Sequence, residues 1–215
     1  MTINHRNLDI ILDDLKDYKN SKLLVVSKNQ SINDIIDLNN RGFRLFGENR
    51  VQEAKEKFQK IQNRSSIDLH LIGPLQRNKV KIALQLFDVI QTIDRVSLID
   101  TLVKELPNLI DIKTREYFIQ INIGDESQKG GVSKKDLFHL YDYCLQNKLN
   151  ISGLMCIPPN DKRPDIYFEE MVFLRDKIDK KLKLSMGMSN DYKVALNCQS
   201  NFIRVGSKIF EWDFF

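Results

Sequence analysis

Residues 23–49 read LLVVSKNQSINDIIDLNNRGFRLFGEN. The apolar run Leu23, Leu24, Val25, Val26 is too short for a helix and reads as a buried strand. Beyond Lys28 and Asn29, Ser31 and Asp34 form a capping box that opens a helix. Ile35, Ile36 and Leu38 supply its apolar face, Gly42 stops it, and a second apolar pair follows at Leu45 and Phe46. Strand, helix and strand at this spacing make a unit whose two strands lie parallel, joined by a right-handed crossover.

The alternation continues along the chain. Further apolar runs occupy residues 69–72, 89–93, 117–123, 151–156, 184–186 and 202–205, which brings the total to eight, with amphipathic stretches between them. One such stretch begins near Pro164 and is expected to bury Ile166, Phe168, Met171 and Leu174. An opening helix ahead of the first run places Leu8, Ile11, Leu12 and Leu15 on one face. Eight such units close into an α/β fold of the (β/α)8 type, a TIM barrel with parallel strands. A doubly wound open sheet accommodates the same alternation, and the second and seventh runs are short enough to change the count by one; the barrel is the favoured expectation.

With 215 residues, 33 Lys and Arg against 29 Asp and Glu, and a net charge of +4, the chain fits one domain spanning residues 1–215. The charges are scattered without a basic block, so nucleic acid is not an expected partner. Cys144, Cys156 and Cys198 are odd in number and contain no C-x-x-C pair, which points to a reducing, cytoplasmic compartment. No stretch approaches the roughly 18 apolar residues of a membrane span, so no membrane association is expected. His5, His70 and His139 lack metal-ligand spacing; no metal site is expected, and His70 reads as a hydrogen-bonded structural histidine. Without a heptad or a broad apolar helix face, a monomer is the expectation.

Barrel enzymes and binders build their sites on the loops at the C-terminal ends of the strands. Lys28 follows run one, Gly47-Glu48-Asn49 run two, Gly73-Pro74 run three, Asp94-Arg95 run four, Ser189 run seven and Gly206-Ser207 run eight. Phosphate commonly rests between the loops after strands seven and eight, cradled by backbone amides and a helix N-terminus. Gly187 and Gly206 allow close backbone approach, Ser189 and Ser207 offer hydroxyls, and residues 192–197 can supply the helix. An amine at Lys28 then faces an aldehyde whose other end is a phosphate monoester. Lysine has an ordinary pKa of roughly 10.4, and burial of Lys28 near another cation would favour the neutral, nucleophilic amine.

Six stretches in order closely resemble the YggS-like pyridoxal phosphate homeostasis proteins. They are Val25-Val26-Ser27-Lys28; Phe46-Gly47-Glu48-Asn49-Arg50-Val51-Gln52-Glu53; and His70-Leu71-Ile72-Gly73-Pro74-Leu75-Gln76-Arg77-Asn78-Lys79. Ile121-Asn122-Ile123-Gly124 with Lys129-Gly130-Gly131-Val132, Ser185-Met186-Gly187-Met188-Ser189 and Arg204-Val205-Gly206-Ser207 complete the set. The resemblance implies a barrel like the N-terminal domain of alanine racemase, binding pyridoxal 5′-phosphate (PLP) as a Schiff base on Lys28. It implies a role in intracellular PLP (vitamin B6) homeostasis and supply, with PLP-dependent apo-enzymes as recipients, rather than an established turnover. Arg204 resembles the arginine that faces the pyridine nitrogen in racemase-type folds, where it weakens the ring as an electron sink. By loop position, Asn49 is placed to hydrogen-bond the ring and Ile72 to pack on it. The chain departs from the family at Gln199-Ser200-Asn201 and at Glu211, which bears on the edge of the phosphate cup.

Two enzyme readings stand beside this one. A fold-type III amino-acid racemase needs an opposing acid/base drawn from a further C-terminal domain; the chain stops at Phe215, soon after run eight, so no such group is expected and no catalytic residue is assigned. A cofactor-free, Schiff-base aldolase-like barrel usually carries its lysine later in the barrel than Lys28.

Overall fold

In the computed structural model, which describes residues 3–62, 64–161 and 163–210, every expected strand forms and every neighbouring pair is parallel. The order is α1 (His5–Leu15), β1 (Lys22–Val26), α2 (Ile32–Asn40), β2 (Leu45–Glu48), α3 (Val51–Phe58), β3 (Asp68–Leu71), α4 (Val80–Leu86), β4 (Val89–Ile93) and α5 (Val96–Glu105). Then follow β5 (Glu116–Ile121), α6 (Leu137–Gln146), β6 (Ile151–Cys156), α7 (Pro164–Ile178), β7 (Lys183–Ser185), α8 (Tyr192–Asn197), β8 (Phe202–Val205) and α9 (Ser207–Phe210). Hydrogen bonding runs β1 through β8 in sequence and closes as β8 returns to β1, pairing Leu24 with Arg204. Of the two architectures open to the alternation, the barrel is the one adopted. The short runs at 45–46 and 184–186 are full members of it.

Alternation along the strands divides the core into two layers. Outward-facing residues such as Val25, Phe46, Leu69, Ile90, Ile119, Leu154 and Ile203 meet the helices in one continuous cluster. Inside the barrel, Val89, Phe118, Met155 and Phe202 pack together with Leu45 and Ile157. Phe118 and Phe202 meet edge-on, with ring centroids 6.0 Å apart. Gly153 makes room for this plug, because a Cβ there would fall 2.3 Å from the Phe118 ring and 2.4 Å from the Lys183 carbonyl oxygen.

The helix ends follow the expected chemistry. Ser31 and Asp34 form the capping box of α2, and Gly42 takes φ +99°, two residues beyond the last helical residue. Three face assignments change. Leu12, Ile36 and Ile166 are exposed, at 38%, 36% and 48%, because each barrel helix presents only a narrow stripe to the strands. In α7 that stripe is Phe168, Met171 and Leu174. The three cysteines are free, and no helix among the described residues is long and apolar enough to cross a membrane.

Candidate functional site

At the C-terminal end of β1, Leu23 and Val25 face the helices while Leu24 lies against Gly47 inside the barrel, and the same alternation carries Lys28 to the inner rim. Lys28 is exposed there rather than buried. The group that goes into the protein is its neighbour Ser27. The Ser27 hydroxyl donates to Glu48 Oε1 (2.8 Å), its amide donates to the Gly47 carbonyl (3.0 Å), and its carbonyl accepts from Lys57 Nζ (2.8 Å). On the other side of Lys28, the Asn29 amide donates to Glu53 Oε1 (2.7 Å), with Asn29 itself in the left-handed region at φ +60°. Lys57 lies 2.6 Å from Glu48 and 2.9 Å from Glu53, so one ammonium ties both carboxylates together behind the loop.

Burial pushes the Glu48 carboxyl above its ordinary value, and the bonds from Lys57 and Ser27 only partly offset it. Glu53 shifts the other way: burial works to raise it, but Lys57 and the Asn29 amide together hold it below the usual carboxylate range. The lysine rim is therefore set by Glu48, which sequence reading placed on the rim without a role, and by Glu53 and Lys57, which it did not single out. Their signal lay in the Phe46–Glu53 stretch and in the i, i+4 spacing of Glu53 and Lys57.

Arg204, on β8 beside Leu24, is 3% exposed. It donates to Ser185 Oγ (2.9 Å) and to the Cys156 carbonyl (2.7 Å), and among the described residues no carboxylate comes within ion-pair distance of it. Burial draws its pKa down, opposed by Cys156 and Asp191. A buried cation held by two neutral acceptors keeps its positive field for whatever enters the mouth.

Above Arg204 the chain forms a small cup. Gly187 takes φ +92°, and its carbonyl accepts the Arg204 amide (2.8 Å). The Ser207 hydroxyl donates to Ser189 Oγ (2.8 Å). Gly206 sits so close to β1 that a Cβ would lie 2.9 Å from the Val26 carbonyl oxygen. The helix that opens at this cup is α9, starting at Ser207. The expected helix α8 begins at Tyr192 behind Asp191, whose carboxylate accepts the Met188 amide and so places a negative charge at that N-terminus. The departures at 199–201 lie at the opposite, N-terminal end of β8: Arg175 donates to Gln199, Ser200 bonds the Met186 and Phe202 carbonyls, and Asn201 accepts the Leu184 amide. They shape the strand start and not the cup. Glu211 is outside the described residues.

Asn49 and Ile72 end β2 and β3 on the same rim. Gly73 presses on the Asn49 backbone, where a Cβ would stand 2.1 Å from its carbonyl oxygen, and Asn49 Oδ1 is buried with no hydrogen-bond partner among the described residues. Ile72 leans over Gly47, its Cδ1 within 3.1 Å of where a Cβ would be.

No family model matches the chain. The pyridoxal phosphate homeostasis protein of Pasteurella multocida is 38% identical over 201 residues, covering 88% of this chain and 85% of that protein. The chain belongs to the pyridoxal phosphate homeostasis protein family. PipY of Synechococcus elongatus, a COG0325 family member solved with PLP bound, is 29% identical with a TM-score of 0.81 over 95% of this chain and 98% of PipY. Alanine racemase from Acinetobacter baumannii shares the fold, with a TM-score of 0.75 at 15% identity, this chain spanning 64% of its length. The pyridoxal phosphate homeostasis family thus has the racemase-type barrel, with the six resembling stretches on its C-terminal rim or on the strands leading to it.

Proposed function

We propose that this chain binds PLP at the mouth of its barrel as a Schiff base on Lys28 and serves the intracellular homeostasis and supply of that cofactor. The observation that carries the reading is the convergence, on one rim, of Lys28, the buried Arg204 and the cup of Ser189, Gly206 and Ser207, in a chain aligned along nearly its whole length with a PLP-bound relative. PLP supplies an aldehyde that condenses with an amine and a pyridine ring that withdraws electrons.

The residues fit that group. Ser189, Gly206 and Ser207 would hold a phosphate by hydroxyls and backbone, at the start of α9. Arg204 can only donate a hydrogen bond, so it would bind an unprotonated ring nitrogen and would not strengthen the ring as an electron sink. Asn49 offers its unpartnered Oδ1 to a ring substituent, and Ile72 an apolar edge. A site of this kind holds its ligand more readily than it drives carbanion chemistry. It therefore supports a carrier, with residues 1–215 as a single domain, a monomer in a reducing cytoplasm, and PLP-dependent apo-enzymes as recipients.

The test is the visible absorption spectrum of PLP-loaded protein before and after borohydride, beside Lys28→Ala. Reduction is expected to fix PLP to the peptide containing Lys28, and the alanine variant to lose the band. A band that survives in Lys28→Ala would overturn the Lys28 assignment; robust racemase turnover by the pure protein that Lys28→Ala abolishes would keep that assignment and overturn the carrier reading.

A further inference from the structure

Across the barrel interior runs a chain of buried polar groups that links Arg204 to the opposite wall. Arg204 donates to Ser185 Oγ on β7 (2.9 Å), Ser185 Oγ donates to Gln91 Oε1 on β4 (2.7 Å), and Gln91 Nε2 lies 2.7 Å from His70 Nδ1 on β3. On the far side of the imidazole, His70 Nε2 faces Asp68 Oδ1 at 3.4 Å; both atoms are buried without a hydrogen-bond partner among the described residues, so the hydrogen-bonded chain ends at His70. Asp68 is paired with Arg115 at 2.7 Å. Ser185 and Gln91 are completely buried and His70 nearly so.

The chain starts at a member that can only donate. A guanidinium has only donors, so Ser185 Oγ accepts from Arg204, and its single proton goes to Gln91 Oε1. Gln91 then presents its carbonyl to Ser185 and its NH₂ to His70. His70 Nδ1 must therefore accept, which puts the ring proton on Nε2, toward Asp68. Although burial works to raise it, His70 and Arg115 hold the Asp68 carboxyl below its ordinary value, which suits the acceptor at the end of such a chain. The result is a relay that runs from Arg204 to His70: turning the Gln91 amide over would take its carbonyl acceptor away from the Ser185 proton in the dry interior.

We infer that Ser185 and Gln91 are positioning residues for Arg204, and that their relay fixes both the placement of the guanidinium at the ligand ring and the Nε2–H tautomer of His70. The link to the ligand rests on the PLP reading above; the relay itself does not. The charged groups around His70 are Asp68 and, through it, Arg115, with Arg204 three hydrogen bonds away. Gln91→Glu removes the NH₂ that faces His70 Nδ1 while keeping an acceptor for Ser185. Its carboxylate can take the Ser185 proton but must also receive one from His70, which forces a proton onto Nδ1. Ser185→Ala removes the bond to Arg204 and leaves the histidine half intact; Ser185→Thr restores the hydroxyl.

Nitrogen-15 NMR of the histidine-labelled protein without PLP is expected to show His70 with Nε2 protonated and Nδ1 bare in wild type, and Nδ1 protonated in Gln91→Glu. A wild-type Nδ1–H tautomer overturns the relay whether or not the protein binds PLP. Titration with PLP is expected to show affinity falling about 10- to 100-fold in Ser185→Ala, the size of a lost hydrogen bond to a charged group, with recovery in Ser185→Thr and a displaced absorption maximum in Gln91→Glu. If these variants bind PLP as wild type does while Lys28→Ala does not, the positioning role fails and the PLP reading stands. If wild type takes up no PLP, the PLP reading fails and the positioning role with it, while the tautomer measurement still decides the relay.

Discussion

Lys57 Nζ lies 2.6 Å from Glu48 Oε1 and 2.8 Å from the Ser27 carbonyl, so one buried ammonium braces the residue immediately before Lys28. Glu48 has no exposed side-chain surface and Lys57 only 10%. The pair is thus a buried ion pair whose cost of desolvation is met only while both partners remain.

Removing the cation should be severe. Lys57→Met is expected to destabilise the fold by ~3–5 kcal/mol at neutral pH, read by urea unfolding, because it strands the Glu48 carboxylate in the protein. Protonation relieves that penalty. The Glu48 carboxyl already sits above its ordinary value, so it takes up a proton in the folded state at a pH where the unfolded chain has not. Stability of the variant should therefore rise as pH falls through the folded Glu48 pKa, and the deficit against wild type should be smaller at pH 5 than at pH 8. A deficit independent of pH would show that packing, not charge, is what Lys57 contributes.

Asp68 gives the opposite limb. Its folded pKa is depressed, so its contribution is complete above the unfolded value and is lost as pH falls through the folded one. Asp68→Asn should flatten the acid side of the stability profile below about pH 4 and leave the alkaline side unchanged. Thermal melts of both proteins between pH 2 and pH 7 make the comparison.

Gly187 and Ser189 are predicted to fail differently. At Gly187 a side chain meets Ala195 Cβ at 2.5 Å in a backbone conformation that L-residues rarely adopt, so Gly187→Val should cost stability as well as PLP binding. Ser189→Ala removes a hydroxyl from the cup without strain, and should weaken PLP binding by about tenfold or more with a melting temperature close to wild type. Fluorescence or absorbance titration alongside calorimetry separates the two.

The inner plug sets the last prediction. Gly153→Val places atoms where the Phe118 ring and the Lys183 carbonyl already are, and is expected to leave little folded protein in circular dichroism. Phe118→Ala leaves a void instead, and should lower stability by ~3–5 kcal/mol.

Most of the architecture is legible in the chain because strand runs and helix caps are local signals. Ser31, Asp34 and Gly42 announce α2 within a dozen residues, and the rim positions follow once the runs are counted. Face assignments at Leu12, Ile36 and Ile166 misread the helices, since an apolar residue one step off the buried stripe has the same hydrophobicity as one on it. Lys28 was traceable by position, although its exposure was not, because that depends on Ser27 being drawn inward by residues of the next unit. The partnership of Ser185 with Gln91 spans 94 residues of sequence and exists only once the barrel closes. Its one local trace is a glutamine inside the apolar run Val89–Ile93, a polar residue that a buried strand tolerates only with partners in place.

The apolar plug of Val89, Phe118, Met155 and Phe202 has one more effect, on traffic. It stoppers the bore beneath the rim, so the barrel is a cul-de-sac rather than a corridor. Whatever enters the mouth must back out by the doorway through which it came, so arrival and departure are obliged to take turns.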